Sequence, residues 1–243
     1  MTDPQSRKSP TEIERAARQA AALRENLKRR KQQARERASA EHESPIDLQA
    51  RATAMRDFWF GPAASPEFGR WRQIWFERDE AFDQRCAHFR DDYERAARGE
   101  YDALAGTPAG AVALVVLLDQ FPRNLFRGTA RAFGTDPQAC AIAARAVDAG
   151  MDLLVSPVER MFLYLPFEHS ESLEDQRRSV DLFESLPVTP DFPAAKRDHT
   201  IDYAHRHKVI IERFGRFPHR NAALGRASTP EEIEFLAGPN SSF

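Results

Sequence analysis

The sequence predicts an all-α protein built from stacked antiparallel helical hairpins. Three observations predict it. Helix starts recur with one chemistry, a capping side chain followed by proline at the first helical position: Ser44-Pro45, Thr107-Pro108, Asp136-Pro137, Ser156-Pro157 and Thr229-Pro230. Between these starts apolar residues recur at helical spacing, and no segment alternates as a half-buried strand does. Residues 111–118 are apolar without a break, so a helix there has no polar stripe and is buried on all sides. Roughly eight or nine helices are expected, short loops folding them into hairpins.

Taken in order, the chain begins with a segment unlike the rest. Residues 1–43 are rich in Ala, Glu, Lys, Arg and Gln; over 12–43 the large apolar residues are Ile13, Leu23 and Leu27. This composition buries too little surface to pack and reads as a solvated, partly helical arm that folding does not need. The basic block Lys28-Arg29-Arg30-Lys31 within it reads as a solvated helix face. Residues 44–243 are expected to form a single all-helical domain.

Within that domain Phe82, Cys86, Phe89 and Tyr93 share a helical face, as do Leu173, Val180 and Phe183. Ser156 with Glu159, and Ser228 with Glu231, have the spacing of a capping box. Two apolar faces hold a polar intruder. Gln176 lies at the centre of the Leu173/Val180/Phe183 stripe, and His207 at the centre of Tyr203, Ala204, Ile210, Ile211 and Phe214. Each must be hydrogen-bonded if buried. His205 points to the side opposite His207, so the two cannot ligate one metal from a regular helix.

Composition removes several classes of function. A net charge of −2 gives no reason to expect a nucleic-acid or anionic-membrane partner. Cys86 and Cys140 are too few for a disulfide framework or a thiolate zinc site, which points to a reducing cytoplasm. No apolar run approaches the roughly 18 residues of a membrane span, and the charged N-terminus lacks a secretory core. A His-Glu-x-x-His helix, a phosphate-cradling glycine loop and a Gly-x-Ser-x-Gly elbow are all absent.

The polar chemistry gathers in three segments at helix ends. The first is Asp119-Gln120-Phe121-Pro122-Arg123-Asn124, with Arg127 one turn on. Asp119 closes the apolar run, and an unpaired buried carboxylate costs several kcal/mol, so it must find a cation or several donors. The second is Pro166-Phe167-Glu168-His169-Ser170-Glu171, where Pro166 is read as ending a helix over 161–165. The third runs from Arg213 to Asn221 through Gly215-Arg216-Phe217-Pro218-His219-Arg220 and closes on Leu224-Gly225-Arg226. Its Phe-Pro-His-Arg-Asn echoes the Phe-Pro-Arg-Asn of the first. Such segments can be architecture alone: Arg and Asn after a Phe-Pro turn can cap helix carbonyls, and Gly215 can supply a left-handed C′ position. The acids of the second segment and Asp119 lack a specific metal-ligand spacing, so no metal is expected. The cofactor is left open.

With those residues in hand, the chain resembles a family of uncharacterised bacterial proteins with a TPR-like helical fold. The resemblance rests on Phe58-Trp59-Phe60-Gly61, on the first segment, on Pro166–Glu171 with Gln176, and on His207 running into the third segment. It covers about residues 53–238. Phe167 stands where the family pattern has Leu. The resemblance implies a TPR-like superhelical domain of stacked hairpins without sequence repeats, and it transfers no activity.

The resulting expectation is a buried pocket for a small anionic molecule, with enzymatic activity left open. Arg123, Arg216 and Arg220 would hold the anion. His169 or His207 would be the acid–base group, oriented by Glu171 or Asp119. Gln120, Asn124, Arg127, Glu168, Gln176, His219 and Asn221 complete the expected ligand-binding set. The competing class is a helical interaction module that binds a protein partner on a concave face. A module should spread its polar residues along several helices; a pocket should collect them from distant turns.

Overall fold

Capping chemistry sets the helix starts, and burial of a few continuous apolar stretches sets how the helices pack. The computed structural model describes residues 45–239 together with Lys31 and Ser241. Apart from Lys31, the expected arm lies outside the described residues, as does Ser44. Every regular element among the described residues is helical. In order these are α1 (Pro45–Phe60), α2 (Glu80–Cys86), α3 (Arg90–Ala97), α4 (Pro108–Asp119), α5 (Phe121–Leu125), α6 (Asp136–Asp148), α7 (Pro157–Glu168), α8 (Leu173–Glu184), α9 (Ala194–Phe214) and α10 (Pro230–Leu236). Short 3₁₀ turns link several of them.

Thr107, Ser156 and Thr229 each cap a helix by accepting a backbone N–H, with proline in the first turn. Ser156 and Glu159 form a full capping box. The second box is made by Thr229 with Glu232, one residue beyond the expected Ser228–Glu231 pair. Asp136 is not a cap but the first residue of α6, after Thr135. Pro166 does not end its helix either: α7 runs on to Glu168. Proline removes one backbone bond there, while Phe162, Leu163, Tyr164, Leu165, Phe167 and Glu168 are all buried around it, and that burial holds the last turn helical. The face shared by Phe82, Cys86, Phe89 and Tyr93 is divided between α2, a 3₁₀ turn at Ala87–Phe89, and α3.

Helix α4 is the centre of the core. Every residue from Gly110 to Asp119 is buried, and the helix packs against α3, α6 and α7. Burial of its large apolar side chains stabilises the fold by about 1.5–3 kcal/mol each. Helix α7 lies beside it, packed also on α6 and α8. Rings from three regions interlock next to these helices: Trp59 meets Phe121 at 5.2 Å and the edge of Phe162 at 5.7 Å. Helix α9 packs on α8. A smaller apolar cluster of Ile210, Ile211 and Phe217 ties the end of α9 to the segment after it. Gly215 ends α9 at φ 68°, the left-handed conformation that glycine adopts without strain. No described helix is long and apolar enough to cross a membrane.

Candidate functional site

The C-terminal end of α4 delivers Asp119, fully buried, to the edge of the core. Nδ1 of His169, at the C-cap of α7, lies 2.8 and 3.0 Å from its two carboxylate oxygens. Nε2 of Gln120 donates to the same carboxylate at 2.5 Å, and the Arg123 guanidinium lies 3.3 Å away. Burial alone would raise the Asp119 carboxyl, but Arg123, His169 and these hydrogen bonds outweigh it and hold it below the usual carboxylate range. Asp119 is therefore ionised and can only accept. That fixes the proton of a neutral His169 on Nδ1 and leaves the lone pair on Nε2. Burial and the nearby Arg123 lower His169, against the pull of Asp119, so the ring is neutral at neutral pH.

Asp136 links the first segment to the third. Arg123 grips it with both terminal nitrogens, each at 3.0 Å, and Arg220 reaches it from the other side at 3.1 Å. The two Phe-Pro turns thus share one carboxylate. The Arg220 guanidinium lies 4.6 Å from the Phe133 ring and 4.5 Å from that of Phe217, which fixes its plane. Burial and the neighbouring Arg123 lower Arg220 to about 10, so it remains charged. Capping and clustering coexist: Arg123 also bonds the Asp119 carbonyl, and Asn124 donates to the Gln120 carbonyl at 3.1 Å.

Glu168 and His207 form a second buried pair, with Nδ1 of His207 3.3 Å from Glu168 Oε1. Burial, with the Asp119 charge, pushes the Glu168 carboxyl up to about 8. Burial lowers His207 to about 3, His169 and Arg220 adding to it. The proton of this pair therefore sits on Glu168. His207 Nδ1 is 2.9 Å from the Tyr203 carbonyl, an acceptor, and so carries the ring's N–H. Burial, Arg220 and His169 hold His219 at about 4.

Gln120, Arg123, Phe133, Glu168, His169, His207, His219 and Arg220 border a cavity of about 580 Å³, together with Asn124 and Arg127; Asp119, Asp136 and Phe217 stand behind its wall. Arg127 is clamped on Asp83 at 2.8 and 3.1 Å. Besides Asp119, four expected site residues lie outside this cavity. Gln176 is fully buried and donates to the carbonyls of Glu168 at 2.6 Å and Ser170 at 2.7 Å, bracing the turn that carries His169. Glu171 is held by Arg226 and by the Phe217 N–H, so it cannot orient His169. Arg216 pairs through Nε and Nη2 with Glu232 and also bonds the Ala227 carbonyl. Asn221 donates to Ser228 and Glu232. For Arg216 and Asn221 the reason is shared: the stretch after Gly215 folds against α10, and both side chains bond Glu232 there.

Sequence reasoning missed the aromatic wall. Trp71, Trp75, Phe76, Phe133 and Tyr203 border the cavity with Met161, Leu165 and Phe183. Trp71 and Phe76 sit in irregular chain before α2 and follow no period, so no local signal marks them. Asp136 was also missed, because an acid in a helix first turn needs no further explanation. Among the described residues no group of three or more His, Cys, Asp or Glu is placed to hold a metal ion.

The model of a family described as bacterial protein of unknown function (DUF924) matches residues 55–240. The chain belongs to that family. Its match spans α2 to α10 and all three polar segments. A solved structure of a protein of unknown function from Agrobacterium tumefaciens, ATU0120, is similar as well. The two chains are 42% identical, with a TM-score of 0.67 over 78% of this chain and 98% of that one. No curated protein matches. The chemistry of this DUF924 member therefore has to be argued from its own side chains.

Proposed function

We propose that the cavity is a small-molecule site in which His169, oriented by Asp119, acts as a general base and Glu168 as its acid partner. The observation that carries this reading is the Asp119–His169 hydrogen bond at the polar end of the cavity. A carboxylate on Nδ1 fixes the tautomer and stabilises the imidazolium that forms when Nε2 takes a proton. A carboxyl at about 8 keeps its proton at neutral pH and can give it up. Arg220 and Arg123 replace the expected arginine trio as the anion-facing groups; Arg216 plays no part. The recessed collection of polar side chains from distant turns supports a pocket over an extended groove for a protein partner. A TPR-like stacking of hairpins belongs to the same reading, supported by the packing of α7 on α8 and α8 on α9. So does a cytoplasmic setting, since Cys86 and Cys140 are both free.

The test is a thermal-shift screen of the full chain against carboxylated, phosphorylated and neutral polar metabolites. Saturation at 100 times Kd stabilises the folded state by about 2.7 kcal/mol, which such a screen resolves. Hits should lose their effect in Arg220→Lys and keep it in Arg216→Lys. For a hit that is turned over, His169→Gln should abolish the rate with little loss of binding. A panel without a single hit, or hits indifferent to Arg220, would overturn the reading.

A further inference from the structure

The charge around the cavity is balanced before any ligand arrives. Each of its three buried or clamped arginines already has a carboxylate: Arg123 has Asp119 and Asp136, Arg220 shares Asp136, and Arg127 has Asp83. Three guanidinium groups thus face three carboxylates. Burial keeps His169, His207 and His219 neutral, and Glu168 holds its proton at neutral pH. Glu77 and Arg78, which also line the cavity, add one charge of each sign. A dianion entering this site would lose its hydration without meeting surplus positive charge. What the wall does offer is narrower. Nε of Arg220 is buried with no acceptor, in a side chain only 7% exposed. Its guanidinium lies against the Phe133 and Phe217 rings, 4.6 and 4.5 Å from their centroids, so one charged donor is already positioned.

The rest of the wall suits an apolar body. Trp71 and Phe76 stack with centroids 5.0 Å apart and planes 21° off parallel. Met161, Leu165 and Phe183 line the same cavity as His169. Trp71 also has a buried indole N–H without an acceptor. Polar and aromatic side chains therefore border one volume.

Resting on the reading of the cavity as a ligand site, we infer that its ligand is an amphipathic monoanion: a monocarboxylate on an aromatic or branched apolar body, and neither a phosphate ester nor a dicarboxylate. Phenylacetate, phenyl phosphate and acetate separate the elements of this inference. The first two share a ring and differ in head charge; the third keeps the head and lacks the ring. Titration calorimetry of the full chain in Tris buffer at about pH 7.5, where the phosphate monoester is largely dianionic, gives the comparison. Phenylacetate should bind at least about tenfold more tightly than either of the others. Phe76→Ala, at a position that is 47% exposed and so tolerant of truncation, should weaken phenylacetate several-fold and leave acetate unchanged. Trp71→Phe, which keeps a ring and removes the indole N–H, is the folded control. Phenyl phosphate binding as tightly as phenylacetate would overturn the single-charge inference while leaving the ligand site standing. Acetate binding as tightly as phenylacetate would overturn the apolar body. Failure of all three alongside a phosphorylated or neutral hit in the wider screen would overturn the inference alone; a silent screen would remove the ligand site with it.

Discussion

Replacing Asp119 with asparagine tests the charge on which the site is built. The substitution preserves shape and removes one negative charge from a fully buried position. Three groups lose their ionic partner at once: Nδ1 of His169 at 2.8 Å, Nε2 of Gln120 at 2.5 Å and the Arg123 guanidinium at 3.3 Å. Breaking a buried ion pair from one side costs about 3–5 kcal/mol. Arg123 retains Asp136, so the low end applies, about 3 kcal/mol. For a folded unit of this size that lowers the melting temperature by roughly 6–12 °C. The loss should depend on pH in a defined direction. A carboxyl held below its unfolded value binds fewer protons in the native state, so its stabilisation is complete above about pH 4, the unfolded value, and fades as the pH falls towards the folded one. Calorimetric melting of wild type and Asp119→Asn from neutral pH down to about pH 3 measures both the gap and its closure. A gap within about 1 °C at neutral pH, or one that widens on acidification, would refute the claim that an ionised Asp119 anchors His169 and Arg123.

The Glu168 carboxyl has the opposite linkage: raised to about 8 in the fold, it makes the protein lose stability as pH rises from about 4.5 to about 8. Glu168→Gln should remove that slope, at most about 1.4 kcal/mol per pH unit, and leave the variant more stable than wild type at neutral pH; identical pH–melting profiles would refute it. Arg216→Lys should lower the melting temperature, because lysine cannot reproduce the two-pronged grip on Glu232; an unchanged melt would count against that pairing. Gly110→Ala, which by helix propensity should gain about 1 kcal/mol, should instead destabilise by about 1–3 kcal/mol. Its Cβ would sit 2.1 Å from the Leu104 carbonyl oxygen, a clash only backbone movement relieves. Chemical denaturation decides the sign.

The sequence by itself determined the elements of this protein. Thr107, Ser156 and Thr229 begin their helices because a short side-chain oxygen before proline satisfies an orphan N–H of the first turn. Residues 111–118 could only be buried, and Asp119 at their end could only be paired. Polar residues on apolar faces likewise announced themselves: Gln176 and His207 are both buried and hydrogen-bonded. Tertiary structure decided the partners. Arg216 and Arg220 stand four residues apart in one motif, yet Arg216 turns to Glu232 and Arg220 to Asp136, a division no local pattern encodes. Glu171 and Asp119 were both candidates to orient His169, and it is Asp119, fifty residues away, that lies within hydrogen-bond distance of it. Trp71 and Phe76 became a cavity wall only because α7 and α9 pass beside them. Helix starts and buried faces depend on neighbours within a few residues, which the chain carries everywhere with it. Ion pairing in a core depends on which charges the packing excludes from water together, and only the folded chain sets that.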